Sequence, residues 1–311
     1  MATAKRITSN PAFSSTFIFI VAQIINFLVI FRINPFIKSS HIYIPEQPPE
    51  SISLWPPPAQ PTPPGEVPAP PVGSLGPIII YFFALVIVLS IILALVPIST
   101  LRLLLRILFA LLFSWGTFIV FILWSPLAIA LTASIAVGLA WFFLPRVWLH
   151  NLVMVVALVS LGAVFGRLIS PWTSIILISA LALYDLLAVR FGFMMWISKK
   201  MTDASTLPAF IIPHSIIEWN ANLKRSQVEE KTFESKYSIL GGGDVGFPLL
   251  LVSSSYFGYG FTDAIIIAGF TLLGLLCAYL LQALFLKGKP TPALPPIAVL
   301  SWIALLIVRF A

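Results

Sequence analysis

Charged residues and cysteine are both scarce in this chain. Only 9% of its 311 residues are charged, whereas soluble domains carry charge on about 25% of their residues, so a water-soluble fold is excluded. The single cysteine, Cys277, rules out an intramolecular disulfide and a cysteine-rich metal site. Three histidines (His41, His150 and His214) are scattered along the chain and lack the H-E-x-x-H spacing of a zinc peptidase. The sequence therefore predicts no metal and no organic cofactor.

The chain is instead rich in long hydrophobic segments. Hydrophobic residues make up 59% of the chain, and they gather into segments of about 17 to 25 residues, the length that a helix needs to cross a hydrocarbon core of about 30 Å. The sequence predicts an all-α, polytopic membrane protein with nine transmembrane helices. The predicted spans are residues 12–31, 77–97, 101–123, 126–145, 149–169, 171–195, 244–261, 263–286 and 292–310.

The connections between these spans divide the chain into three parts. We predict an N-terminal six-span bundle over residues 1–196, a hydrophilic cytoplasmic loop over 197–240 and a C-terminal three-span segment over 241–311, all within one integral membrane domain. Residues 45–77 hold half of the chain's 26 prolines. Because proline lacks a backbone N–H and fixes its φ angle, this segment is predicted to be an extended linker.

Lysine and arginine residues are distributed unevenly around the spans. The net charge of +7 comes from residues that flank apolar runs, as the positive-inside rule expects, and does not indicate a nucleic-acid partner. With a cytoplasmic N-terminus, 14 of the 18 basic residues fall on the cytoplasmic side, and Arg32, Lys38, Arg167 and Arg309 fall outside. The sequence thus predicts a multi-pass protein of the cell membrane with a cytoplasmic N-terminus, an outside C-terminus and a first span that is retained as an anchor.

Two carboxylates are predicted to lie in the membrane. Asp185 is in the sixth predicted span and Asp244 begins the seventh. A charged group at the bilayer centre costs about 2.5 to 3.5 kcal/mol on insertion scales, so both aspartates are candidates for a function. Asp185 precedes Arg190 on its helix, which places it roughly 8 Å inside the cytoplasmic end. Because consecutive spans run antiparallel, we expect the two carboxylates to meet.

The residues next to the aspartates suit a reactive site. Tyr184 offers a phenolic hydroxyl beside Asp185, although a tyrosine at this depth is also typical of an interface anchor. Gly241, Gly242 and Gly243 precede the second aspartate and let another backbone approach it, although a loose turn at a helix start would also account for them.

A third element lies at the start of the last span. Pro292 and Pro295 flank Ala293 and Leu294, a pattern that interrupts a continuous helix. The interruption would leave backbone groups able to bind an extended peptide, whereas on its own the same pattern also fits a plain helix start.

Together these motifs resemble the presenilin and signal peptide peptidase family of intramembrane aspartyl proteases. The Tyr-Asp pair, the GxGD motif of residues 241–244 and the PAL motif of residues 292–294 occur in the family's order around a long hydrophilic loop. The resemblance implies that Asp185 and Asp244 are catalytic and that the PAL motif shapes the active site and binds substrate. The chain is similar to a minimal archaeal or microbial homologue in the presenilin orientation, and the proline-rich first loop is not part of the family pattern.

The sequence therefore predicts an aspartic endopeptidase that hydrolyses peptide bonds within transmembrane helices of membrane-protein substrates, using two aspartates and a water. Its expected partners are transmembrane peptides or membrane proteins and the lipid bilayer, and a homo-oligomer is left open. A proton- or ion-coupled transporter or an ion leak is the alternative, because intramembrane carboxylates also serve proton relays. The lack of an evident internal repeat argues against a transporter, and a scaffold that only binds other spans would leave two buried aspartates unexplained.

Overall fold

The computed structural model describes residues 11–40, 80–81, 84, 87–88, 91–92, 95–190, 208–222, 236–284 and 292–310. The proline-rich segment 45–77 lies outside the described residues, as do the charged residues in the middle of the predicted loop 197–240. Most of what is described is helical.

Each described α-helix overlaps a span predicted from the sequence. The largest difference is in the first helix, which continues past the predicted end at residue 31 to Ser40. Described residues between Ile80 and Leu95 are helical as well. Numbered in chain order, the α-helices are α1 Pro11–Ser40, α2 Ile98–Ile122, α3 Leu127–Phe143, α4 Val147–Leu168, α5 Pro171–Arg190, α6 Gly242–Tyr259, α7 Phe261–Leu284 and α8 Leu294–Phe310.

Four of the described helices are long and apolar enough to cross a membrane. They contain the segments Ala12–Ile37, Thr100–Ile122, Val147–Leu168 and Phe261–Leu284. Helices α3, α5 and α8 are apolar but shorter. The described residues thus support a membrane protein, whereas the count of nine spans stays a prediction.

Prolines define several helix starts, as the sequence predicted. Pro97 and Pro126 are the N-caps of α2 and α3, and Pro171 is the first residue of α5. The first N–H groups of a helix have no partner within it, so a proline there loses no hydrogen bond. The tight junctions expected at these prolines are confirmed.

Side-chain hydrogen bonds join the C-terminal ends of three helices. Arg32 of α1 donates from Nε to the carbonyl oxygen of Leu123, just after α2, at 3.0 Å. Arg167 in the last turn of α4 donates from Nη1 to Oδ1 of Asn34 at 2.7 Å. The ends of α1, α2 and α4 therefore lie on one side of the bundle, as an antiparallel arrangement of successive spans requires.

Helix α6 packs closely against α4 through two glycines. A Cβ atom at Gly162 would lie 3.1 Å from Cβ of Leu249, and one at Gly166 would lie 2.4 Å from Cβ of Ser253. Small residues let membrane helices approach each other, because packing rather than water exclusion holds them together. The pair of glycines thus fixes α6, which carries Asp244, tightly against α4.

A two-stranded antiparallel sheet departs from the predicted all-helical plan. Strand β1 (Ala209–Pro213) pairs with β2 (Tyr237–Gly241), and a short 3-10 helix, Ile216–Asn220, follows β1. The prediction of a hydrophilic loop over 197–240 is wrong for these parts, since all five residues of β1 are buried. A run of five apolar residues is too short for a spanning helix, and pairing with β2 satisfies the backbone groups on one edge of the strand.

Candidate active site

Asp244 lies in the first turn of α6, directly after β2. Gly241 is the N-cap of this helix, and its backbone hydrogen-bonds to the Asp244 carboxylate. A carboxylate at the third helical position that reaches back to the N-cap N–H satisfies an unpaired donor and complements the positive end of the helix dipole. A Cβ atom at Gly241 would lie 2.8 Å from Oδ2 of Asp244. The glycine therefore makes room for the carboxylate itself.

Gly242 and Gly243 differ in what surrounds them. A Cβ atom at Gly242 would lie 2.7 Å from the carbonyl oxygen of Pro208 and 3.2 Å from Cε of Met154. The N–H of Gly242 donates to the same Pro208 oxygen at 3.0 Å, so the backbones approach closely here. At Gly243 the nearest neighbour is the Phe247 ring, at 3.4 Å. Close backbone approach is therefore a property of Gly242 and not of Gly243.

Asp185 lies on α5, and the fold brings it close to the second aspartate. Its side chain is only 6% exposed, whereas Asp244 is half-buried. The two carboxylates interact electrostatically, and α5 and α6 contribute residues to one apolar cluster. The two side chains thus lie together, as expected from the antiparallel spans. Their catalytic role stays a prediction.

Two tyrosines accompany the aspartates, and the sequence pointed to only one of them. Tyr184 is half-buried and interacts electrostatically with Asp185, its neighbour in the chain. Tyr279 of α7 interacts electrostatically with Asp244 and hydrogen-bonds to Ser15 at the start of α1. The signal that points to Tyr279 is its place in the last turns of the predicted eighth span, at the same end of the bundle as the aspartates.

The PAL motif contacts both aspartate helices. Leu294 is buried in an apolar cluster together with Leu181 and Ala182, within one turn of Asp185 on α5. Ala293 packs against a second cluster that includes Val245, the residue after Asp244. The start of α8 therefore lies beside both helices that carry the aspartates.

The interruption of the helix at this motif is shorter than the sequence suggested. Helix α8 begins at Leu294, so Pro295 lies inside its first turn. The predicted span 292–310 thus begins two residues too early, and Pro295 fits into the first turn because a proline there displaces no hydrogen bond. Within the described chain, Pro292 and Ala293 are the non-helical residues of the motif.

The chemistry that this site offers is that of paired carboxylates. Among the residues that the structure describes, no group of three or more His, Cys, Asp or Glu side chains could hold a metal ion. Two aspartates in unlike surroundings can divide the parts of proton acceptor and proton donor between them. Fold and site together define a helical membrane protein with a carboxylate pair at one end of its bundle.

Comparison with known proteins identifies the family of this chain. The family model described as signal-peptide peptidase, presenilin aspartyl protease matches residues 65–311. The chain therefore belongs to this family, and it is an integral membrane protein and an aspartic endopeptidase.

Two solved structures share its fold. One, a presenilin family intramembrane aspartate protease in space group C222, matches with a TM-score of 0.60 and 16% identity over 96% of this chain and 99% of that chain. The other, described in the same words for space group P2, matches with a TM-score of 0.56 and 16% identity over 97% of this chain and 98% of that chain. No curated protein matches the chain.

Proposed function

We propose that this protein cleaves transmembrane helices of membrane proteins, with Asp185 and Asp244 as its catalytic pair. The observation that carries the proposal is the electrostatic interaction between these two carboxylates, which α5 and α6 present in a chain of an aspartyl protease family. A transporter could also use buried carboxylates. Membership of a protease family favours hydrolysis.

In the proposed reaction the two aspartates share one proton, because like charges a few ångströms apart do not both ionise easily. The ionised aspartate takes a proton from a water molecule as the water oxygen bonds to the scissile carbonyl carbon. The protonated aspartate donates a hydrogen bond, and then its proton, to the carbonyl oxygen. The first aspartate then passes the proton that it took from water to the amide nitrogen as the C–N bond breaks. The second aspartate regains a proton from one of the two hydroxyls on the same carbon, which leaves a carboxylic acid, an amine and the original pair. Either aspartate can begin as the base.

In this proposal the outer edge of β2 is the place where the substrate binds. His214 N–H donates to the Lys236 carbonyl and Gly242 N–H to the Pro208 carbonyl, which sets the alternation of the ladder. By that alternation the N–H and C=O of Ile239 point away from β1. No other strand of the described chain pairs with this edge of β2.

A substrate helix must unwind before its carbonyls can be attacked, since they are hydrogen-bonded within the helix. An unwound segment that adds to the outer edge of β2 would regain those bonds, and β2 leads directly into Asp244. Pro292 and Ala293 lie at the start of α8 and, in this proposal, help to position the same segment, with Tyr184 at its margin.

The placement in the membrane is part of the proposal. In this proposal the apolar runs form nine spans in the cell membrane, and the uneven distribution of basic residues gives a cytoplasmic N-terminus and an outside C-terminus. On this basis residues 1–196, 197–240 and 241–311 form one catalytic domain, with the aspartate pair near its cytoplasmic side.

Cleavage of a labelled transmembrane peptide by the purified protein tests the function. We expect Asp185→Asn and Asp244→Asn each to abolish cleavage, because an amide keeps the size of the side chain but does not exchange a proton. Asp263→Asn is the matched control, since Asp263 also lies in the first turn of a helix but at the opposite end of its bundle. If either dyad variant, folded and pure, kept wild-type turnover, the assignment of the pair would be wrong.

A further inference from the structure

The outer edge of β1 is already occupied by a side chain of α4. Asn151 donates from Nδ2 to the carbonyl oxygen of Ile211 at 2.7 Å, and its Oδ1 accepts from the Ile211 N–H at 2.9 Å. A single amide side chain thus makes the two hydrogen bonds that a neighbouring strand would make to this residue. Asn151 is only 5% exposed, so a competing peptide has no access to these groups.

The preceding residue makes a second bond to the same edge. Nε2 of His150 is 2.9 Å from the carbonyl oxygen of Ala209, and Nδ1 is 3.2 Å from the indole Nε1 of Trp141. Since an indole N–H only donates, Nδ1 is the acceptor and Nε2 carries the proton that goes to Ala209. His150 lies near the start of the predicted span 149–169, and it is only 2% exposed because β1 and α3 cover it.

The two side chains fix where the sheet lies relative to Asp244. Ala209 faces Gly241 across the ladder, and Ile211 faces Ile239. Gly241 in turn hydrogen-bonds to the Asp244 carboxylate. A slip of β1 along α4 would therefore carry β2 with it and change which residue of an added strand faces the aspartates.

We propose that His150 and Asn151 are positioning residues of the protease. They close the β1 edge, leave the β2 edge as the place where an unwound substrate adds, and hold that edge in one register relative to Asp244. This inference rests on the proposed function, and it adds that the choice of scissile bond depends on two side chains of α4 that do not touch the reacting atoms.

The first test compares Asn151→Leu with Ser160→Ala. Leucine has nearly the shape of asparagine but makes neither bond to Ile211. Ser160 is a buried residue of the same helix whose hydroxyl bonds to the Gly116 and Val156 carbonyls at 2.7 Å, away from the sheet. Both variants lose buried hydrogen bonds of α4. Their thermal stabilities therefore show how much of any change in cleavage comes from destabilisation alone.

We expect the product masses from a transmembrane peptide to separate the two variants. In Asn151→Leu the cleavage sites should shift, chiefly in steps of two residues because strand side chains alternate with that period. Its kcat/KM should fall by about 10- to 100-fold, as for a misplacement on the order of 1 Å. Ser160→Ala should cut at the wild-type bonds. Unchanged sites and kcat/KM in folded Asn151→Leu, or equal changes in both variants, would overturn the proposal.

A second pair of variants covers the case in which Asn151→Leu does not fold. His150→Gln keeps a side-chain N–H for the Ala209 carbonyl, whereas His150→Leu removes it. We expect the glutamine variant to keep the wild-type cleavage sites and the leucine variant to shift them. The same cleavage pattern in both would count against a positioning role.

Amide hydrogen exchange provides a readout that needs no catalytic activity. The Ile211 N–H bonds to Asn151, whereas the Phe210 and Ile212 N–H groups belong to the ladder with β2. We expect Asn151→Leu to speed exchange at Ile211 by about tenfold or more, the effect of losing roughly 1.4 kcal/mol of local protection, with less change at its two neighbours. Unaltered exchange at Ile211 would show that no such clamp exists. A protein that clamps β1 but cleaves no peptide would instead refute the proposed function.

Discussion

At the scale of single residues, the glycines before Asp244 serve separate purposes. Gly241 leaves space for the carboxylate that caps its own N–H, whereas Gly242 lets the backbone of Pro208 come within hydrogen-bonding distance. A side chain at the second position would have to displace backbone, which yields less readily than the end of a flexible side chain. The space around Gly242 thus determines how β1 and α6 are joined.

Gly242→Ala is expected to destabilise the protein by about 1 to 3 kcal/mol, as overpacking does, and to lower cleavage by moving β1 away from α6. Gly269→Ala is the control, because no atom lies within 4 Å of a Cβ atom built there. Thermal unfolding and peptide cleavage of both variants measure the difference. If the two alanine variants behaved alike, close packing at Gly242 would not matter.

Tyr279 joins α7 to α1 next to the aspartate pair, and removal of its hydroxyl tests that contact. We expect Tyr279→Phe to lose about 1 kcal/mol, the usual net value of one hydrogen bond, and to lower cleavage severalfold by loosening the wall beside Asp244. Ser15→Ala removes the other partner of the same bond. The double variant should therefore be no worse than either single one. Additive effects would mean that the two side chains act independently.

What could be predicted at this scale depended on how unusual each residue is in its surroundings. Asp185 and Asp244 stood out because carboxylates are rare in apolar segments. Tyr279 did not, because tyrosines are common near the ends of membrane helices. The setting of His150 and Asn151 comes from a strand that lies about 60 residues further along the chain, which no local pattern reveals.

At the scale of elements, helices and strands were not equally predictable. The helix bounds followed from the length of the apolar runs and from the prolines at their starts. The sheet was missed because its two strands of five residues each are short, and their backbone partners lie far away in the sequence, in the other strand and in α4. Burial of β1 under α4 is a tertiary effect, and hydrophobic periodicity over five residues does not report it.

The packing of the start of α8 against α5 can be tested by substitution of Leu294. Leu294→Arg places a charge in the buried cluster that includes Leu181 and Ala182, so we expect this end of α8 to separate from α5. Turnover of a long substrate should fall by on the order of 100-fold, as for a 1 Å misplacement. A small transition-state mimic that contacts mainly the carboxylates should bind with less loss.

Leu294→Met is the matched control for this variant, because a swap of nearly equal volume usually costs less than about 1.5 kcal/mol. Both variants are measured on preparations whose thermal unfolding shows a folded protein. Full turnover in folded Leu294→Arg would reduce the PAL motif to a helix start without a part in substrate binding.

At the scale of the whole molecule, the two ends of the bundle differ in their chemistry. Arg32 and Arg167 bind polar groups at the end where α1, α2 and α4 finish. The aspartate pair lies at the other end, where α1 begins, as the bond between Ser15 and Tyr279 indicates. With 14 of 18 basic residues assigned to the aspartate side, the positive-inside rule predicts that this side is cytoplasmic.

The single cysteine allows this orientation to be tested directly. Cys277→Ala gives a chain without thiols, into which Ser53→Cys or Ser205→Cys introduces one reporter on either predicted side. A membrane-impermeant maleimide added to intact cells should label the cysteine at 53 and spare the one at 205. Cell lysis should make both reactive, which is the control for access. The opposite pattern would place the aspartates on the outer side, and the orientation of the substrate helices that reach them would reverse with it.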